Sequence, residues 1–229
     1  MEKINNSLVE FVLEGFHGNN TFQAFLFTIL HLVYLVTLAG NGIIIFIICA
    51  DHRLHSPMYF FLVCLSFMET IGISAVDYKL FAIFITADHT FSKSGCTTQS
   101  FFYFFLSSTD FLLLTVMSVD RFVALCFPLR YSSIMRLSLC IKMVVSCFVI
   151  SFLCILYPTF TLSRAPFCGN VLDHFFCDGA AMMKLVCIDI SFIKLSNFIS
   201  SFIILIVPLV ITSISYIFIV STVIKNAIS

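Results

Sequence analysis

Long stretches without a charged residue restrict this chain more than any other feature, and they fall at 15–50, 143–163 and 195–224. A hydrocarbon core about 30 Å thick is crossed by a helix of about 20 residues, so each stretch is long enough to span a membrane. Two further stretches are broken by one acid each: 54–76 contains Glu69 and 94–119 contains Asp110. Isolated acids in apolar helices face a protein interior and mark function, so both are read as spans. The expectation is an all-α fold, a polytopic transmembrane helical bundle in a single domain. Its helices are expected at 24–50, 57–80, 97–122, 139–159 and 196–222. An N-terminal segment at 1–23, a long loop at 160–195 and an end at 223–229 complete it.

Composition removes the alternatives. With 60% hydrophobic and 10% charged residues, the chain lacks the quarter or so of charged residues that a water-facing surface needs. The stretches show no period-2 alternation and exceed a barrel strand of about 10 residues, which excludes a barrel. Residues 1–15 carry Glu2, Glu10 and Glu14 without a basic flank and apolar core, so the first span is expected to act as its own insertion signal. A formal net charge of zero gives no sign of nucleic-acid binding. No phosphate-cradling glycine loop, nucleophile elbow or paired metal-ligand motif is present, so neither an enzyme nor a cofactor is expected. His174-Phe175-Phe176-Cys177-Asp178 comes nearest to a soft-metal site, but a disulfide cysteine beside a loop histidine accounts for it, and no metal is expected. A transporter or channel is disfavoured because no inverted repeat is visible.

Lysine and arginine do not orient the bundle. Arg53, Arg121, Arg130, Arg136, Lys142 and Lys225 fall on one side, and Lys3, Lys79, Lys93, Arg164, Lys184 and Lys194 on the other. Two other features point the N-terminus outward. Asn5-Asn6-Ser7 and Asn19-Asn20-Thr21 are glycosylation sequons, usable at Asn5 and Asn19 only in the lumen. Of ten cysteines, Cys96, Cys168, Cys177 and Cys187 fall in loops on the N-terminal side, where an oxidising compartment would pair them. Four cysteines allow three pairings, and spacing does not choose among them.

With that orientation Asn41, Glu69 and Asp110 each lie about 15–17 Å from the cytosolic end of their helix, at 1.5 Å per residue. Polar groups from three helices at one depth suggest an internal polar cluster, because each alone in lipid is costly. It can be read as a cation or proton site or as a structural hydrogen-bonded knot. Stepping outward from Asp110 at helical spacing reaches Ser107, then Phe104 and Tyr103, then Ser100. Such a stripe suits the wall of a pocket for a small apolar ligand, and equally ordinary helix packing. Asp120-Arg121 reads as an interfacial anchor, and Pro208 is expected to kink the fifth helix.

Several of these segments together resemble one family. They are Gly40-Asn41, Leu54-His55-Ser56-Pro57-Met58-Tyr59-Phe60-Phe61-Leu62, Leu65-Ser66-Phe67-Met68-Glu69, and Met117-Ser118-Val119-Asp120-Arg121-Phe122-Val123-Ala124-Leu125-Cys126-Phe127-Pro128-Leu129-Arg130-Tyr131. Phe167-Cys168-Gly169, His174 to Asp178, Lys184-Leu185-Val186-Cys187 and Ser215-Tyr216 extend the match along the chain. The chain resembles the odorant receptors, within the rhodopsin-like G-protein-coupled receptors, and looks like five spans of that seven-helix fold.

The resemblance implies bridges Cys96–Cys177 and Cys168–Cys187. It implies an odorant pocket around Tyr103, Phe104, Ser107 and Ser108, with Ser200, Ser201 and Ile204 opposite. Arg121 would engage a stimulatory heterotrimeric G protein, with Asp120 restraining it at rest. The implied setting is the plasma membrane, multi-pass and in contact with lipid, with the N-terminus outside. The sequence departs from the pattern at Val119 and Phe122, where the family has Tyr. Glu69 and Asp110 stand where it has Asp and Glu, as if the two acids had been exchanged. The 168–177 segment is one residue shorter than usual. The family's sixth and seventh helices do not follow Ser229, so the expected alternative is a truncated, non-signalling fragment. Such a fragment would be held in the endoplasmic reticulum or associate with intact receptors.

Overall fold

The computed structural model describes residues 10–14, 19–86 and 88–228, so the Asn5 sequon lies outside the described residues. Five helices in it are long and apolar enough to cross a membrane, at Thr21–Ala50, Pro57–Thr86, Lys93–Cys126, Leu137–Arg164 and Ser191–Lys225. The elements follow in the order β1 (Glu10–Leu13), α1 (Asn20–Ala50), α2 (Pro57–Thr86), β2 (Thr90–Ser92) and α3 (Lys93–Cys126). Then come the short α4 (Tyr131–Ile134), α5 (Leu137–Arg164), β3 (Val171–Leu172) and α6 (Gly179–Lys184). The fifth span is α7 (Ser191–Ser201), a π-helical segment (Phe202–Ile206) and α8 (Val207–Ile228).

Most of the spans run several residues beyond the expected boundaries, because apolarity marks the immersed part of a helix whereas capping groups decide where it stops. Asn19 Oδ1 accepts from Phe22 N at 2.8 Å and opens α1. Pro57 stands first in α2, where its missing N–H costs nothing. The Asp189 carboxylate accepts from Ser191 N and Oγ, at 2.9 and 2.6 Å, at the start of α7. Those bonds, the hydroxyl's first, hold that carboxyl below the usual carboxylate range. The expected loop at 160–195 is correspondingly shorter, since α5 continues to Arg164 and α7 begins at Ser191. Pro208 does not break the fifth span: the wide π-helical turn just before it makes room for a ring that lacks an N–H and crowds the preceding turn.

The chain divides into two compact units, one from 1–39, 70–105 and 154–197, the other from 40–69, 106–153 and 198–229. The first unit holds a three-stranded sheet in the order β2-β1-β3. β1 is antiparallel to β2, with Phe11 opposite Phe91, and parallel to β3, with Val12 opposite Val171. Val12 N donates to Asn170 O at 2.7 Å, Leu13 N to His89 O at 2.9 Å and Glu14 N to Leu172 O at 3.0 Å. His89 Nδ1 donates back to Leu13 O at 2.9 Å. Alternation along β1 sends Phe11 and Leu13 inward, both 0% exposed, against Phe167, Leu172, Leu162 and Met182. The Phe11 and Phe167 rings meet edge to face with centroids 5.1 Å apart. The N-terminal segment expected at 1–23 thus contributes the middle strand and two core side chains.

Two disulfides belong to this unit, Cys96–Cys177 with a sequence separation of 81 and Cys168–Cys187 with one of 19. Phe11→Ala should lower stability in detergent by about 3–5 kcal/mol, the usual cost of emptying a buried aromatic site, whereas Glu10→Ala should stay within about 0.5 kcal/mol. Equal melting curves for both variants would show that β1 is not packed. Each bridge should contribute about 2–4 kcal/mol, the longer-range one more. Non-reducing peptide mapping should recover these two pairs, and a peptide joining Cys96 to Cys168 would contradict them.

Candidate functional site

Within the first unit, the N-terminal part of α3 presents one face to the loop between α5 and α7. Cys96, Gln99, Ser100, Tyr103 and Phe104 follow one another at i, i+3, i+4, i+7 and i+8, which places them on one helical stripe. Cys96 carries the bridge to Cys177. The Phe176 ring lies 5.2 Å from that of Tyr103, and Phe176 itself packs edge-on to His174 at 4.6 Å. A Cβ added to Gly179 would stand 3.7 Å from Phe104 Cε2 and 3.9 Å from Ser100 Oγ, so the loop backbone runs in close contact with the stripe. Asp178 accepts from the N–H groups of Ala180 and Ala181, both at 3.0 Å, and so starts α6. Lys93 closes the far end: Nζ donates to Ala165 O at 3.0 Å and sits 4.7 Å over the Phe167 ring, joining the start of α3 to the end of α5.

Other expected site residues belong to the second unit. Ser108 is buried and Ser107 half-buried on α3. On the fifth span Ser200 and Ile204 are buried four residues apart, and Pro208, Ser215 and Ile219 continue that buried stripe. Ser201 is exposed and does not share it. Asn41, 6% exposed, donates from Nδ2 to Glu69 Oε2 at 3.2 Å. Glu69 itself is exposed. Asp110 Oδ1 is enclosed without a hydrogen-bond partner among the described residues.

At the end of α3 the 1%-exposed Asp120 accepts from Tyr131 Oη at 2.9 Å. Burial, then this bond, pushes the Tyr131 phenol well above its ordinary range. Arg121, beside it, is exposed. α3 and α8 are laced alongside by Ser118 Oγ donating to Thr212 Oγ1 at 3.4 Å, by the Phe122 and Phe218 rings at 5.9 Å, and by Cys126 Sγ with Thr222 Oγ1 at 3.4 Å. Asn19 is exposed, with its Oδ1 engaged in capping α1. Among the described residues no three His, Cys, Asp or Glu side chains gather into a metal-binding group.

Sequence reasoning missed three contributors. Gln99 could have been found from its i+3 spacing to Cys96. Phe176 stood in the His174 to Asp178 segment without a role, because the loop's path is not periodic and does not show what its ring meets. Tyr131 stood in a quoted motif without a role, and only the fold shows its hydroxyl returning to Asp120.

The chain matches the 7 transmembrane receptor (rhodopsin family) over residues 40–229. Olfactory receptor 6J1 of Homo sapiens is 42% identical over 220 residues, covering 96% of this chain and 63% of that protein. Olfactory receptor 6T1 of Homo sapiens is 41% identical, covering 95% of this chain and 68% of that protein. Olfactory receptor 6B9 of Mus musculus is 40% identical over 226 residues, covering 98% and 71%. The chain therefore spans a little under two thirds of the length of the first of these relatives.

The Asn41–Glu69 bond and the proximity of Asp110 predict unequal substitutions. Glu69→Leu leaves the buried Asn41 amide unpaired and should cost about 1–3 kcal/mol in detergent, whereas Glu69→Gln keeps an acceptor and should cost less than half of that. Combined with Asp110→Asn in a double-mutant cycle, Glu69→Gln should depart from additivity by more than about 0.5 kcal/mol; strict additivity would mean that the two acids do not communicate.

Proposed function

The chain belongs to the olfactory receptors of the rhodopsin-like seven-transmembrane family, and on that premise we propose that it binds small volatile odorants and signals through a stimulatory heterotrimeric G protein. The observation that best supports this is the loop segment Phe176–Gly179 laid along Tyr103 and Phe104 under the Cys96–Cys177 bridge. An aromatic wall with few polar groups, roofed by a covalently tied loop, suits a small and mostly apolar ligand. Tyr103 and Phe104 would supply contact area, and the Tyr103 hydroxyl a single directional hydrogen bond. The receptor reading also assigns ligand contacts to Ser107, Ser108, Ser200 and Ile204, on residue identity and position in the family pattern, whereas the exposed Ser201 lies off the stripe of Ser200 and Ile204.

At the other end of α3, the exposed Arg121 would meet the G protein's C-terminal helix. Asp120 would set its resting position, and the Tyr131 bond suggests how: the phenol holds the buried carboxyl in place beside Arg121. The orientation that goes with this puts the N-terminus and the disulfides outside the plasma membrane, where Asn19 would be open to glycosylation. In the Asn41, Glu69 and Asp110 cluster, a hydrogen-bonded knot is favoured by the direct Asn41–Glu69 contact.

The test is odorant-evoked cyclic AMP in cells expressing the chain joined to the sixth and seventh helices of a related olfactory receptor. A panel of aliphatic and aromatic odorants should give at least one concentration-dependent response. Arg121→Ala should abolish that response at unchanged surface display, and Tyr103→Ala should weaken potency roughly tenfold or more, the scale of a lost directional contact with its packing. No response from a well-displayed protein across the panel would overturn the reading. The 229-residue chain expressed alone distinguishes the alternative of a fragment that is retained or that associates with intact receptors: surface-negative, glycosidase-sensitive protein without a response is its signature.

A further inference from the structure

Gln99 stands one helical turn after the bridged Cys96, and its side chain is 4% exposed. Its Nε2 donates to Ala75 O at 3.0 Å and to Val76 O at 3.4 Å, both on α2. Its Oε1 accepts from the backbone N of Cys177 at 3.5 Å. One amide therefore serves backbone groups on α2 and on the loop while itself belonging to α3. Its two N–H donors and its oxygen all find partners, as a buried amide requires. The two carbonyls each keep a second lone pair for the α2 ladder, so the tie takes no bond away from that helix.

The bridge and the amide constrain different parts of Cys177. A disulfide fixes Sγ, but the peptide plane joining Phe176 to Cys177 can still turn about the neighbouring backbone bonds. A hydrogen bond to the N–H in that plane stops the turning. The same plane carries the Phe176 carbonyl and so fixes one of the two backbone torsions at the Phe176 Cα, the atom from which the ring reaches Tyr103.

We propose that Gln99 is a positioning residue, which locks the Phe176–Cys177 peptide plane, and with it the loop backbone that carries the Phe176 ring, to α2 and α3. Its bearing on odorant selectivity rests on the receptor reading above; the positioning itself does not.

The experiment is hydrogen–deuterium exchange with mass spectrometry on the 229-residue chain in lipid nanodiscs, with non-reducing peptide mapping to verify the Cys96–Cys177 bridge in every sample. Gln99→Met preserves length and removes the polar atoms. It should speed exchange of the Cys177 amide by roughly five- to tenfold, the scale of one hydrogen bond, while amides of β1 and of residues 182–185 keep wild-type rates. Gln99→Glu, labelled at about pH 5 where burial against two carbonyls keeps the acid neutral, has an acceptor oxygen for Cys177 N and an O–H donor for α2, and should hold the Cys177 amide near its wild-type rate, a rescue that a space-filling role would not give. Unchanged Cys177 exchange in Gln99→Met with the bridge intact would overturn the proposal. So would equally fast exchange in Gln99→Glu, which decides the matter by itself if the methionine variant does not fold. Because no odorant is used, failure here and failure of the cyclic AMP assay are separate results.

Discussion

Hydrocarbon offers the peptide backbone no hydrogen-bonding partner, and everything else in this structure is arranged around that constraint. Each of the five apolar stretches must satisfy its N–H and C=O groups internally, and a helix does so without a neighbour. Non-helical backbone is then confined to the ends of the spans, where the β strands, the short helices and both disulfides are found. Before Pro208 the helix deforms locally into a π-helical turn, whereas α5 continues through Pro158.

The same constraint explains why polar side chains inside the spans take up backbone or one another. Hydroxyls of Thr28, Thr37, Ser74, Thr115 and Ser146 fold back onto the carbonyl four residues earlier in their own helix. Those that reach another helix draw spans together: Tyr34 with Ser74, Asn41 with Glu69, Ser118 with Thr212. In lipid, contacts of this kind and close packing replace the hydrophobic effect as the force between helices. Along the third span such links run from Cys96 and Gln99 through Ser118 to Asp120.

Legibility in the sequence followed the physics of each feature. Span number and approximate position were readable because hydrophobic length is summed over some twenty residues, and no single residue can disguise it. The end of the first helix at Ala50 and the start of the second at Pro57 were readable too, but most other helix ends were not, because they depend on individual caps such as Asn19 and Asp189. The stripe containing Tyr103 and Phe104 was visible from helical spacing. Its covering by Phe176 and Gly179 was invisible, because it comes from a loop with no period to read. The exposure of Ser201 beside buried Ser200 and Ile204 belongs to the same class, since it depends on how one helix face is covered rather than on residue type. β1 was missed for a related reason: four residues, Glu10–Leu13, are too few for alternation to register, and their partners lie far away in the chain.

That distance has a consequence for biogenesis. Val12 pairs with Val171, roughly 160 residues later, across four membrane spans. The N-terminal strand emerges first from the ribosome, yet its parallel partner is synthesised only after the fourth helix. The sheet therefore closes only after the fourth span has been made, and the loop entropy of that closure has already been reduced by membrane anchoring at both ends. Until then Phe11 and Leu13 have no core to enter, and translation speed through the fourth span sets how long two bare apolar side chains wait for cover.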